Sequence, residues 1–146
     1  IEQISKEVGY VLENNEVTAS IRDCIINGDP VTKMRRIADA VGANLLFDDE
    51  KVVLMPKKGS RKTQGELPLI NSSNGMIGYP TFSNNGINVS CFFRPELRIG
   101  ANFKLESIVP HASGTWKIVS LKHELSANDP GGGSWKTSIS GIYPRW

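Results

Sequence analysis

Histidine and cysteine are nearly missing from this chain of 146 residues, which has two of each. Cys24 and Cys91 lie far apart, with no CxxC and no His/Cys cluster, which excludes a zinc ribbon and a disulfide framework. A free cysteine behaves as a small hydrophobe, so two buried, reduced thiols are expected. No apolar run approaches the roughly 18 residues of a membrane-spanning helix, so direct membrane insertion is not expected. The chain starts at Ile1, with no initiator Met and no basic-then-apolar leader. It reads as a piece of a longer protein, any targeting signal having been left behind. A net charge of +2 is too small to imply a polyanion partner.

Catalytic patterns are also lacking. His111 sits in a Pro-His-Ala-Ser-Gly turn, and His123 alternates with charged neighbours on a strand. There is no G-x-S-x-G elbow around a serine. Glu66, Glu96, Glu106, Glu124 and Asp129 lie in turns or on solvent-facing strand positions, none bracketed by the apolar residues that would raise a carboxyl pKa. The run Asp129-Pro130-Gly131-Gly132-Gly133 leads through Ser134-Trp135-Lys136 into a strand. A phosphate-binding loop leads into a helix, so this is a hairpin loop. No catalytic residue, metal or cofactor is expected.

What is present is the patterning of an α+β protein in two parts. A hydrophobic content of 39% and a charged content of 22% are ordinary for a chain with a real core. Ile1, Ile4, Val8, Val11 and Leu12 form one stripe, predicting an amphipathic helix over 1–13 that Gly9 weakens and Asn14-Asn15 ends. Val17, Ala19 and Ile21, continued by Ile25-Ile26, read as a half-buried strand or as irregular chain. Asp29 as N-cap, Pro30 at the first helical position and Gly42 as the stop predict a helix from Pro30 to Val41. Asn44–Phe47, an acidic turn and Val52–Met55 predict a hairpin.

Charge divides the chain. Residues 1–55 carry 6 basic and 10 acidic side chains, residues 63–146 carry 7 and 5, and Lys57, Lys58, Arg61 and Lys62 lie between them without an acid. The stretch Pro56–Glu66 can be read as a nucleic-acid or membrane contact or as a solvated linker. The linker is favoured, because no aromatics interleave with the bases.

The second half is β-rich. Ile77–Phe82, the turn Asn84-Asn85-Gly86 and Ile87–Phe93 make a hairpin. After the corner Arg94-Pro95-Glu96 come strands over Phe103–Val109, Trp116–Leu125 and Trp135–Tyr143, which predict a small antiparallel barrel or sandwich. The organisation expected is an α+β module over 1–56, a basic and polar linker over 57–74 and an antiparallel β-barrel domain over 75–146.

Within that second half an ordered set of short motifs stands out: Gly75-Met76-Ile77-Gly78-Tyr79-Pro80, Asn85-Gly86-Ile87, Cys91-Phe92-Phe93-Arg94-Pro95-Glu96-Leu97 and Ile99-Gly100. Leu105-Glu106-Ser107, Gly114-Thr115-Trp116-Lys117-Ile118, His123-Glu124-Leu125-Ser126 and Gly133-Ser134-Trp135 follow. The set, covering about residues 74–143, resembles the baseplate hub proteins of phage and prophage tails of the contractile type. That resemblance implies a barrel related to tail-tube domains and a trimeric, non-enzymatic structural component of the virion. It further implies assembly in the bacterial host cytoplasm and partners in the tail tube protein, the spike protein and the tape-measure protein, with no sequence-specific nucleic-acid reading. Interface anchors would be aromatic, and Trp135, Tyr143 and Trp146 are the candidates, although alternation places Tyr143 toward the core. The alternative from another class is a single-stranded nucleic-acid-binding module with an oligonucleotide-binding-type barrel, its tryptophans stacking on bases and Lys57, Lys58, Arg61 and Lys62 holding phosphates. A peptidoglycan-acting enzyme is the third option and needs a convergent acidic pair.

Overall fold

The computed structural model describes residues 1–22 and 24–144. The chain divides into two compact units, Ile1–Arg61 and Lys62–Trp146, each with its own sheet.

In the first unit, helix α1 (Glu2–Glu7) is short and is followed by strand β1 (Val11–Asn14). The expected helix over 1–13 therefore ends early. Gly9 adopts the left-handed region at φ 80°, and Val11 and Leu12 pair with a strand instead of continuing the helical stripe. No strand forms over Val17–Ile26 among the described residues. Asn14 closes a turn there, its Oδ1 accepting from Val17 N–H at 2.9 Å and its Nδ2 donating to Val17 O at 3.0 Å. Ile25 is left 93% exposed.

Helix α2 (Pro30–Ala40) starts as its sequence directs. The Asp29 side chain accepts from Thr32 N–H at 3.0 Å and Pro30 occupies the first turn, while Gly42 at φ 69° receives the chain as it leaves the helix. Strands β2 (Ala43–Asp48) and β3 (Lys51–Pro56) form the expected hairpin, with Asp49 left-handed in the turn. The sheet order is β1-β3-β2, with β1 parallel and β2 antiparallel to β3. Ala38, Ala43 and Leu54 cluster with Ile1, Leu12, Val17, Val41 and Leu45, and Met34, Val52, Val53 and Met55 are buried as well.

The second unit is one six-stranded sheet that curls into a half-barrel. Its strands are β4 (Leu69–Ile70), β5 (Met76–Ser83), β6 (Gly86–Phe92), β7 (Asn102–Leu105), β8 (Gly114–Leu125) and β9 (Trp135–Ile142), in the order β4-β7-β8-β9-β6-β5. All neighbours are antiparallel except β4 and β7. Leu69–Ile70, inside the stretch expected as linker, is therefore part of the sheet, and Ile70 is fully buried. β7 stops at Leu105, short of the expected Val109, because Ser113 Oγ captures both Ser107 N–H and Ser107 O at 2.9 Å and folds the chain into a loop. Edge strand β5 is irregular between Ile77 and Thr81, where Gly78 is left-handed and Pro80 cannot donate; both features blunt the edge.

One side of this sheet carries a contiguous core of Ile87, Val89, Cys91, Phe103, Leu105, Trp116, Ile118 and Ile139, with Ile70, Leu97 and Ala112 packed in. Alternation along β6 and β9 puts Asn88, Ser90, Ser138 and Ser140 on the opposite side. Where β6 begins and β9 ends, the two strands approach so closely that a Cβ on Gly86 would lie 2.0 Å from Gly141 O, so this position requires glycine.

Candidate interface surface

Phe92, Trp135, Phe82 and Tyr143 are exposed at the two ends of the second unit's sheet, while Tyr79, 66% exposed, stands midway along edge strand β5. At one end β6 finishes, β8 finishes and β9 begins. Phe92 is 63% exposed, Trp135 54% and Leu125 51%, and the register places Leu125 directly opposite Trp135. Trp135 is held in two ways: its Nε1–H donates to Ser126 O at 2.9 Å, and its ring meets Phe93 edge-on at 6.0 Å. Phe93 in turn meets His123 at 5.2 Å, and His123 Nδ1 lies 2.8 Å from Thr137 Oγ1, a fully buried hydroxyl that also accepts from Arg94 N–H. The indole is thus presented outward from a fixed base. On the other side of the same strands Glu124 bridges Lys122 and Lys136 at 2.6 and 2.8 Å, and those two ammonium groups hold its carboxyl down to about 2.

The opposite end carries Phe82 and Tyr143, 52% and 65% exposed. Tyr143 is not core, contrary to the alternation. The strand ends at Ile142, and the ring instead lies edge-on, 5.1 Å away, against Trp116. Trp146 lies outside the described residues. Trp116 is 4% exposed and spends its N–H on Ala112 O, so it offers no stacking surface to a base.

Sequence reasoning passed over Phe92, Leu125, Tyr79 and Phe82. The pair Phe92-Phe93 carries a usable signal, since consecutive residues of a strand face opposite ways and cannot both enter one core.

The groups weighed for chemistry do not converge. Glu96 pairs with Arg94, Asp129 accepts from Gly131 N–H, and Glu106 is held low by Asn71 and Lys104. Among the described residues no group of three or more His, Cys, Asp or Glu side chains is gathered to hold a metal. Cys91 is buried, which pushes its thiol up, whereas Cys24 is exposed, against expectation. It lies in the stretch read as a half-buried strand or irregular chain, which is irregular.

The basic stretch is not uniformly solvated. Lys57 and Lys58 are exposed, but Arg61 is 7% exposed and its guanidinium reaches Glu13 and Asp48 at 2.5–2.7 Å. It is taken up by the protein itself and is not offered to phosphates.

The model of the family Baseplate hub gp41 matches residues 2–131 of the chain. The chain belongs to that family. A hub protein is a structural component of the phage tail baseplate, and it meets other tail components there. The match runs through the first unit and on into the loop between β8 and β9 of the hub chain. No curated protein matches this hub chain.

Proposed function

We propose that this hub chain joins the tail tube to the central spike as one subunit of a trimer, without catalysis of its own. The observation supporting the reading is that each end of the second unit's sheet carries exposed aromatic residues, Phe92 and Trp135 at one and Phe82 and Tyr143 at the other, over a well-filled core. A subunit seated between two tail components needs an anchor at each end, and rigidly held tryptophan and tyrosine are effective anchors. Trp135 serves one end and Tyr143 the other; Trp146 remains a candidate. The tail tube protein, the spike protein and the tape-measure protein are the proposed partners, and assembly takes place in the host cytoplasm.

Light scattering of the full hub protein across concentration tests the stoichiometry, and Trp135→Ala tests the anchor. A trimer that is lost, or weakened at least about tenfold, in a Trp135→Ala protein of unchanged melting temperature is the expected result. A monomer at every concentration overturns the trimer, and unchanged assembly of Trp135→Ala removes that anchor. Single-stranded DNA titrated with tryptophan fluorescence as readout is expected to give no salt-dependent quenching, since Arg61 is engaged by Glu13 and Asp48; the exposed Trp135 would report such binding, and quenching of it would favour the nucleic-acid reading.

A further inference from the structure

Arg61 is the last residue of the first unit, and its surroundings are unusual for a surface connector. Its guanidinium forms a fork on Glu13, with Nε to Oε1 and Nη2 to Oε2 both at 2.7 Å, while Nη1 reaches Asp48 Oδ2 at 2.5 Å. Glu13 lies on β1 and Asp48 on β2, the two edge strands of the sheet. The register puts Val53 of β3 opposite Glu13 and Lys51 of β3 opposite Asp48, so the one cation spans the central strand. Lys51 stands 4.0 Å from Glu13 on the same face. The two carboxylates keep 27–28% exposure, so solvent and ions reach them although the guanidinium is covered.

We infer that Arg61 is a releasable clasp that fixes where the connector between the two units begins. With the clasp closed, the chain leaves the first sheet at Arg61 and enters β4 at Leu69, leaving residues 62–68 as connector. Fully extended, that length spans at most about 24 Å. Before Arg61 the chain makes a tight turn, Gly59 N–H to Pro56 O at 3.0 Å, and a long backbone bond from Lys57 N–H to Gly42 O at 3.4 Å. With the clasp open and that turn kept, the connector lengthens to residues 60–68 and a reach of about 31 Å. Opening also uncovers the Arg61 cation beside Lys58 and Lys62. A bidentate arginine suits this role, since lysine at the same place would make point contacts without the fork.

Limited trypsin digestion of the full chain tests the clasp. The closed protein is cut after Lys57 or Lys58 but spared after Arg61. The double variant Glu13→Gln, Asp48→Asn is expected to raise cleavage after Arg61 at least about tenfold, with Arg61→Lys intermediate in cleavage at that position. Unchanged cleavage after residue 61 in a folded double variant overturns the inference. Where the double variant unfolds, amide and guanidinium hydrogen exchange on the unaltered protein decides. An Arg61 Nε–H exchanging tens of times slower than free arginine supports the clasp, and exchange at the free rate overturns it.

Discussion

The two units of this hub chain are built on different economies of interaction. The first buries Met34, Ala38, Ala43, Val52, Val53, Leu54 and Met55 and adds polar ties: the Asp29 cap, the Asn14 turn and the three-way Arg61 pairing. The second has a contiguous core around Phe103 and Trp116 and uses polar ties mainly to fix loops. It also leaves the aromatic side chains of Phe92, Trp135 and Tyr143 in solvent. The difference teaches where charge substitutions will be felt: in the first unit, where a buried guanidinium ties the two edge strands, more than in the second.

All three tryptophans belong to the second unit, so tryptophan fluorescence follows its unfolding separately from backbone circular dichroism. The largest effect is expected from Phe103→Ala. Phe103 is fully buried, and truncation should cost about 3–5 kcal/mol and shift the fluorescence-detected transition, while the α2 signal moves far less. Equal shifts by both probes would break the comparison. Gly86→Ala comes next: the added methyl meets Gly141 O, and a loss on the order of 2 kcal/mol, again in the fluorescence transition, is expected.

In the first unit Asp29→Ala removes the cap of α2 and should cost about 1 kcal/mol in denaturant titrations followed by circular dichroism. A smaller, pH-dependent effect attaches to Glu13. Its hydrogen bonds to Arg61 hold its carboxyl below the ordinary value, so the stability it contributes is present above the unfolded value of about 4.3 and is lost as pH falls through the lower folded value. Acid titration should therefore destabilise the unaltered protein more than Glu13→Gln, with the two curves converging at the acid end. Parallel curves would show that the pairing contributes nothing.

The legible parts of the fold were those carried by local chemistry. Asp29-Pro30 and Gly42 bracket α2 within one residue, and Asn84-Asn85-Gly86 marks the hairpin turn because its geometry is decided by those residues alone. The misread parts were decided at a distance. Val11 and Leu12 satisfy a helical stripe and a strand equally well, and only pairing with Lys51 and Val52 chooses between them. Leu69–Ile70 looks like connector until it meets Lys104 and Leu105, and Arg61 looks solvated until Glu13 and Asp48 reach it. At the surface, the positions of Trp135 and Phe92 follow from strand alternation, but the turning of Tyr143 onto Trp116 follows from where β9 ends.

Strand order also governs the sequence of events during synthesis. β9 is the last strand of its sheet to be made, yet it lies between β8 and β6. Until it emerges, β5 with β6 and β4 with β7 and β8 are two separate ladders with no strand to join them. The first unit has its whole sheet by Pro56 and can fold early; the second must wait with Phe103, Trp116 and Ile87 uncovered. A nascent or truncated hub chain lacking those final residues is thus an aggregation-prone species.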